Sequence, residues 1–229
     1  EPETVPEGVA VRFRYTSADG EDGYPGELSC EILYTLTRAN GLRLDYLAST
    51  DRATPINLTN HSYFNLTSHD AGSVLDHVIR IKALRYTERD GNGIPTGNIL
   101  PVDDTPLDLR ESRVVGDRIG ELKDSGGYDH NFVVDRWDGQ TCRMIAEVLE
   151  PLRGRRMEVH TTQPGVQFYT GNFLSGLEGK AGAVYNRHSG LCLETQHFPD
   201  SVNHPDFPST ILRPGETWRQ TTEYRFSTL

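Results

Sequence analysis

Two positions of this sequence are equipped to move protons: the glutamate of LCLETQ (191–196) and the histidine of TNHSYFNL (59–66). In a strand, successive side chains alternate between faces, so Cys192, Glu194 and Gln196 share one face while Leu191, Leu193 and Thr195 share the other. A carboxylate in such partly apolar surroundings has its pKa raised from about 4.3, which makes it a usable general base near neutral pH. An imidazole is its natural acid partner, and His61 stands among asparagines, hydroxyls and two aromatic rings. Each residue also has a plain structural reading. Glu194 would then be a solvated strand-face glutamate, and His61 a hydrogen-bonded structural histidine.

Two further stretches have the same mixture of polar groups and rings. In GGYDHNF (126–132), Asp129 could fix a substrate hydroxyl or orient a histidine, or could simply form an Asx turn after Gly126-Gly127. His130, adjacent to it, points the opposite way if the strand starts there and reads as structural. In TTQPGVQFYTGN (161–172), alternation can leave Gln163 and Gln167 on one face, and either amide could read a hydroxyl. Interleaved hydrogen-bonding groups and aromatic faces suit a hydroxylated ring, that is, a sugar. Metal and cofactor sites are not expected. The eight histidines show no HExxH pattern, and Cys30, Cys142 and Cys192 have none of the close spacings of a zinc site or redox pair.

These residues need a scaffold, and the periodicity supplies one. Short alternating or apolar runs recur at 9–15, 28–36, 42–48, 77–83, 130–134, 143–149, 156–162, 165–171, 191–196 and 221–226. Turn signals such as Asn40-Gly41, Asp90-Gly91-Asn92-Gly93 and Asp138-Gly139 separate them, and 22 Gly and 13 Pro punctuate the 229 residues. The pattern predicts an all-β antiparallel sandwich or barrel. In the first run, Val9, Val11, Phe13 and Tyr15 fall on one face of what reads as a half-buried strand. DRIGELKDSGG (117–127) allows a helical turn or two. The segment 88–112 is too long for a structureless connection and is expected to be a functional loop or to carry a short element. No repeat or linker divides the chain, so residues 1–229 are expected to form a single domain.

Charge and hydropathy narrow the function classes. With 33 acidic against 23 basic residues, a net charge of −10 and no Lys/Arg block, a nucleic-acid partner is disfavoured. No apolar run approaches the roughly 18 residues of a spanning helix, so no membrane partner is expected. Three unpaired cysteines point to the reducing cytoplasm. The sequence carries no signal for an oligomeric state.

Taken together, SADGEDGYPGEL, NLTNHSYFNL, YDHNF, TTQPGVQFYTGNFL and HSGLCLETQHFPDSVNHPDFPSTILRPGE resemble the aldose 1-epimerase (galactose mutarotase) family, in order from about residue 16 to the C-terminus. The resemblance implies the large antiparallel β-sandwich of the galactose mutarotase-like type and interconversion of the α and β anomers of aldohexoses such as galactose and glucose. By position within the matching motifs it implies Glu194 as the base that takes the anomeric hydroxyl proton and His61 as the acid that protonates the ring oxygen. Asp129 and Gln167 would hold the sugar hydroxyls, and the base and acid are expected on opposite sides of the sugar. A monosaccharide is the implied partner, and no cofactor is implied. The family also carries, upstream of the matching region, strands with an arginine in an Asn-Arg motif and a second histidine in a Leu-His-Gly-Gly motif. The chain starts at Glu1 past both, so it is expected to lack the N-terminal strands of the family domain. The competing readings are a non-catalytic carbohydrate-binding module, a truncated inactive homologue, and a glycoside hydrolase using Glu194 with Asp129.

Overall fold

The computed structural model describes residues 2–229. Its strands form two main antiparallel sheets. The larger has nine strands in the spatial order Pro2–Val5, Gly8–Ser17, Leu28–Thr37, Gly41–Thr50, Trp218–Thr228, Arg155–Thr161, Arg143–Glu150, Val78–Ile81 and Arg113–Val114. The smaller has five, in the order Cys192–Gln196, Gly165–Tyr169, Asp129–Val133, Arg85–Arg89 and Pro95–Pro101. All ten runs anticipated from periodicity are strands. The segment 88–112 carries the Pro95–Pro101 strand, which closes a hairpin with Arg85–Arg89. Within 117–127 a single 3₁₀ turn forms at Ile119–Glu121, because Gly126 and Gly127 follow in positive-φ conformations that end any helix.

One apolar core joins the sheets, as the alternation of strand side chains requires. From the larger sheet come Leu44, Ile79, Val148, Met157, Val159 and Tyr224; from the smaller come Phe132, Val166, Phe168 and Leu193. The first strands of the larger sheet depart from expectation. Val9, Val11, Phe13 and Tyr15 do share a face, and through Tyr34, Ile32 and Cys30 it is continuous with the core-facing row of Leu44, Tyr46 and Ala48. Yet Phe13 is 56% and Tyr15 59% exposed, so the strand is not half-buried. The apolar core joining the two sheets takes in Leu44 and Tyr46, with Ile32 and Tyr34 packed at its margin, and does not extend to Phe13 or Tyr15.

A polar seam runs through the core beneath the smaller sheet. The fully buried Tyr224 hydroxyl donates to the Leu193 carbonyl oxygen (2.7 Å) and stands 3.0 Å from Asn60 Oδ1. Thr195 and Thr222 share a hydroxyl hydrogen bond between the sheets. A buried acceptor stripped of its donor costs about 1–3 kcal/mol. Tyr224→Phe is therefore expected to lower unfolding stability by about that amount, read as a drop in urea midpoint at unchanged m-value. An unchanged midpoint would show that the seam carries no net stability.

Candidate active site

The site is assembled by strand register on the outer face of the smaller sheet. Directly paired residues share a face, and the pairing sets three rows across its three strands. These rows are Asp129–Tyr169–Cys192, Asn131–Gln167–Glu194 and Val133–Gly165–Gln196. The opposite parity sends Phe168, Leu193 and His130 inward, so His130 faces away from Asp129 as expected and is buried. Gly165 matters to this arrangement. A Cβ there would lie 2.5 Å from Asn131 Oδ1 and 3.0 Å from a Phe198 ring carbon, so only glycine lets the middle strand sit this close.

His61 comes from outside the sheet. The segment around it is stitched along the free edge of Cys192–Gln196 at three points. Asn57 Nδ2 donates to the His197 carbonyl while Asn57 Oδ1 accepts from the His197 N–H, both at 2.9 Å. Thr59 Oγ1 donates to the Thr195 carbonyl at 2.9 Å, and Phe64 exchanges two backbone hydrogen bonds with Leu191. Between these anchors His61 projects over the row containing Glu194, stacked on Tyr63 (ring centroids 5.1 Å apart) and edge-on to Tyr169.

The result is a bowl of about 370 Å³ that brings together all four residues singled out above: His61, Asp129, Gln167 and Glu194. Its walls add Tyr63, Tyr169, Phe173, Gln196 and Pro199. Gln196 was signalled by its shared face with Glu194. Tyr63 and Tyr169 lie in the mixed polar and aromatic stretches read above as suited to a sugar, but no individual ring stood out, because rings in a β protein usually belong to a core. Gln163 does not join them. It is fully buried, its Oε1 accepts from His197 Nδ1 at 2.7 Å and its Nε2 donates to the Leu58 carbonyl, since the bend at Thr162–Pro164 separates it from the strand bearing Gln167. A larger cavity of about 460 Å³, walled by Phe64, Leu66, Leu174 and Phe226 with His69, Lys180 and Tyr185, is lined by no carboxylate and so does not pair a carboxylate base with its imidazole.

Glu194 is 8% exposed. Burial, reinforced by the nearby Asp129 charge, pushes its carboxyl up to about 7, so it takes up and releases a proton at neutral pH. Its Oε1 lies 3.5 Å from His61 Nε2, whose side chain is half exposed at the rim. The two groups stand side by side over one patch of the bowl. At its floor, Gln167 Nε2 donates to Asp129 Oδ1 at 2.7 Å, which fixes the amide and leaves Gln167 Oε1 buried without a partner.

A β-sandwich whose smaller sheet presents such a face is of the galactose mutarotase-like class. Two solved structures share it at a TM-score of 0.85: an aldose epimerase homologue from C. elegans, 27% identical and covering 100% of this chain and 68% of its own, and a galactose 1-epimerase from Lactobacillus acidophilus, 25% identical, at 100% and 65%. The aldose 1-epimerase family pattern matches residues 1–225, and the chain belongs to that family. Galactose mutarotase of Mus musculus is 48% identical over 227 residues, which is 99% of this chain and 65% of the mouse protein. Aldose 1-epimerase of Haemophilus influenzae is 36% identical over 221 residues, 94% of this chain and 64% of its own length. The chain thus spans a little under two thirds of the curated relatives it matches.

Proposed function

We propose that the protein interconverts the α and β anomers of aldohexopyranoses, galactose and glucose among them, by acid–base ring opening and closure. The observation that carries this reading is the Glu194–His61 pair, 3.5 Å apart in an open bowl with the carboxyl pushed up to about 7. The anomeric hydroxyl and the ring oxygen are bonded to the same carbon, so one reaction needs a base and an acid close together. Glu194 takes the hydroxyl proton as His61 gives one to the ring oxygen, and the C1–O5 bond breaks to leave the open-chain aldehyde. Rotation about the C1–C2 bond then presents the other carbonyl face. Closure runs the same transfers backwards: the C5 hydroxyl oxygen attacks C1 as it returns its proton to His61, and Glu194 delivers its proton to the aldehyde oxygen, which becomes the anomeric hydroxyl.

Asp129 and Gln167 hold substrate hydroxyls, while Tyr63, Tyr169 and Phe173 offer ring faces to the apolar side of the sugar. The pairing of Glu194 with an imidazole, that of His61, favours this over glycoside hydrolysis, which needs paired carboxylates about the scissile bond. Residues 1–229 are proposed to act as one domain. Three free thiols support a cytoplasmic setting, and among the described residues no helix is long and apolar enough to cross a membrane.

The test is polarimetry on freshly dissolved α-D-glucose and α-D-galactose. Equilibration faster than buffer is expected, with kcat/KM falling about tenfold per pH unit on the acid side of about 7, as a base that must be ionised requires. Calorimetric binding of galactose without any acceleration would instead identify a sugar-binding module.

A further inference from the structure

The proton-transfer chemistry has no use for the Cys192 thiol, yet the fold places it in the same face and row system as Glu194, two residues along the strand. His61 overhangs both. One nitrogen of His61, Cys192 Sγ and one carboxylate oxygen of Glu194 all lie within 4.8 Å of one another. Three atoms so spaced can be reached from a common point at most about 2.8 Å from each, against zinc–ligand lengths of about 2.0–2.3 Å. Contraction by roughly half an ångström per ligand completes a coordination shell. The half-exposed His61 side chain has room to supply most of it.

We propose that His61, Cys192 and Glu194 form a three-ligand site for a thiophilic divalent cation of the zinc or cadmium type, and that this cation and the sugar exclude each other. A nitrogen, sulfur and oxygen donor set matches the borderline-soft preference of zinc, whereas magnesium and calcium take oxygen. Two of the three ligands, His61 and Glu194, line the bowl, so a cation held by them and a sugar in the bowl compete for the same groups. Burial holds the thiol in its neutral form until a cation arrives. A coordinating cation displaces the thiol proton, which leaves to solvent as the sulfur–metal bond forms. Local spacing could not signal this site, because His61 and Cys192 meet only through the stitching of their segments.

Calorimetric titration with zinc chloride is expected to give one cation per chain, and cadmium chloride a sulfur-to-metal charge-transfer band saturating at the same ratio. Cys192→Ala should weaken zinc at least tenfold and abolish the band. Cys142→Ala, at an exposed thiol, should change neither. If Cys192→Ala fails to fold, His61→Ala at the rim provides the second reading and should also weaken zinc at least tenfold. Excess galactose should raise the apparent zinc Kd. Absence of the band, its loss with Cys142→Ala but not Cys192→Ala, or full zinc affinity in His61→Ala would overturn the site. Zinc affinity indifferent to saturating galactose would overturn the exclusion. These readouts need no turnover, so they stand or fall apart from the epimerase reading.

Discussion

Glu194→Gln is expected to lower kcat for anomer interconversion by about a thousandfold while leaving KM within a few-fold. General acid–base groups contribute roughly 10²–10⁴ to rate, and a buried base matched to neutral pH belongs toward the upper part of that range. Glutamine keeps the shape of the side chain and its place in the row beside Gln167, so the sugar's binding groups are undisturbed. The acid limb near pH 7 should disappear from whatever activity is left. Stability should move the other way. A carboxyl whose folded-state value is raised contributes stability that is present below its unfolded value and lost as pH rises through about 7, because folding then confines a charge in a poorly solvated place. Above pH 7 the glutamine variant should therefore be the more stable form, by about 1–2 kcal/mol after allowing for the open mouth of the bowl. A variant that retains the parent's rate, checked by polarimetry, would remove Glu194 from the mechanism.

His61→Gln should lower kcat by about a hundredfold or more, with almost no structural cost. The His61 side chain is 52% exposed and makes its contacts by ring packing with Tyr63 and Tyr169. What holds the segment is the backbone and side-chain stitching at Asn57, Thr59 and Phe64, all of which the substitution leaves alone. Unfolding stability should accordingly change by less than about 1 kcal/mol, the scale of a surface substitution that loses one aromatic stack. The double variant with Glu194→Gln should be little slower than Glu194→Gln alone, since groups acting on one proton-transfer event are not additive. Multiplicative losses would mean that the two residues serve separate steps.

The sequence made the strands legible because side chains of one character recur with period two, visible in segments as short as Cys192–Gln196. It made Glu194, Gln167 and Asp129 legible for a related reason, since polar residues on an otherwise apolar strand stand out. Aromatic residues were visible only as a class, since nothing local tells the rings of Tyr63, Tyr169 and Phe173 in the bowl from rings of the core. The false lead at Gln163 arose from carrying alternation back through the bend at Thr162–Pro164. Exposure of Phe13 and Tyr15 was hidden for another reason: periodicity reports which side chains share a face but not how far the opposing sheet extends over it. The contact between Glu194 and His61 depends on pairing between segments far apart in the chain, which no local window contains.

The row pairing of Asn131, Gln167 and Glu194 also ties chemical competence to folding accuracy. Were the Cys192–Gln196 strand to slip by one residue, Leu193 and Thr195 would turn outward into the bowl and the Glu194 carboxylate would turn inward against Phe168. The misfolded form would then bury an uncompensated charge and lose its base in the same event. A one-residue slip therefore gives no stable but inert register to compete with the active one, and the same carboxylate that would act as the base also guards the pairing of its own strand.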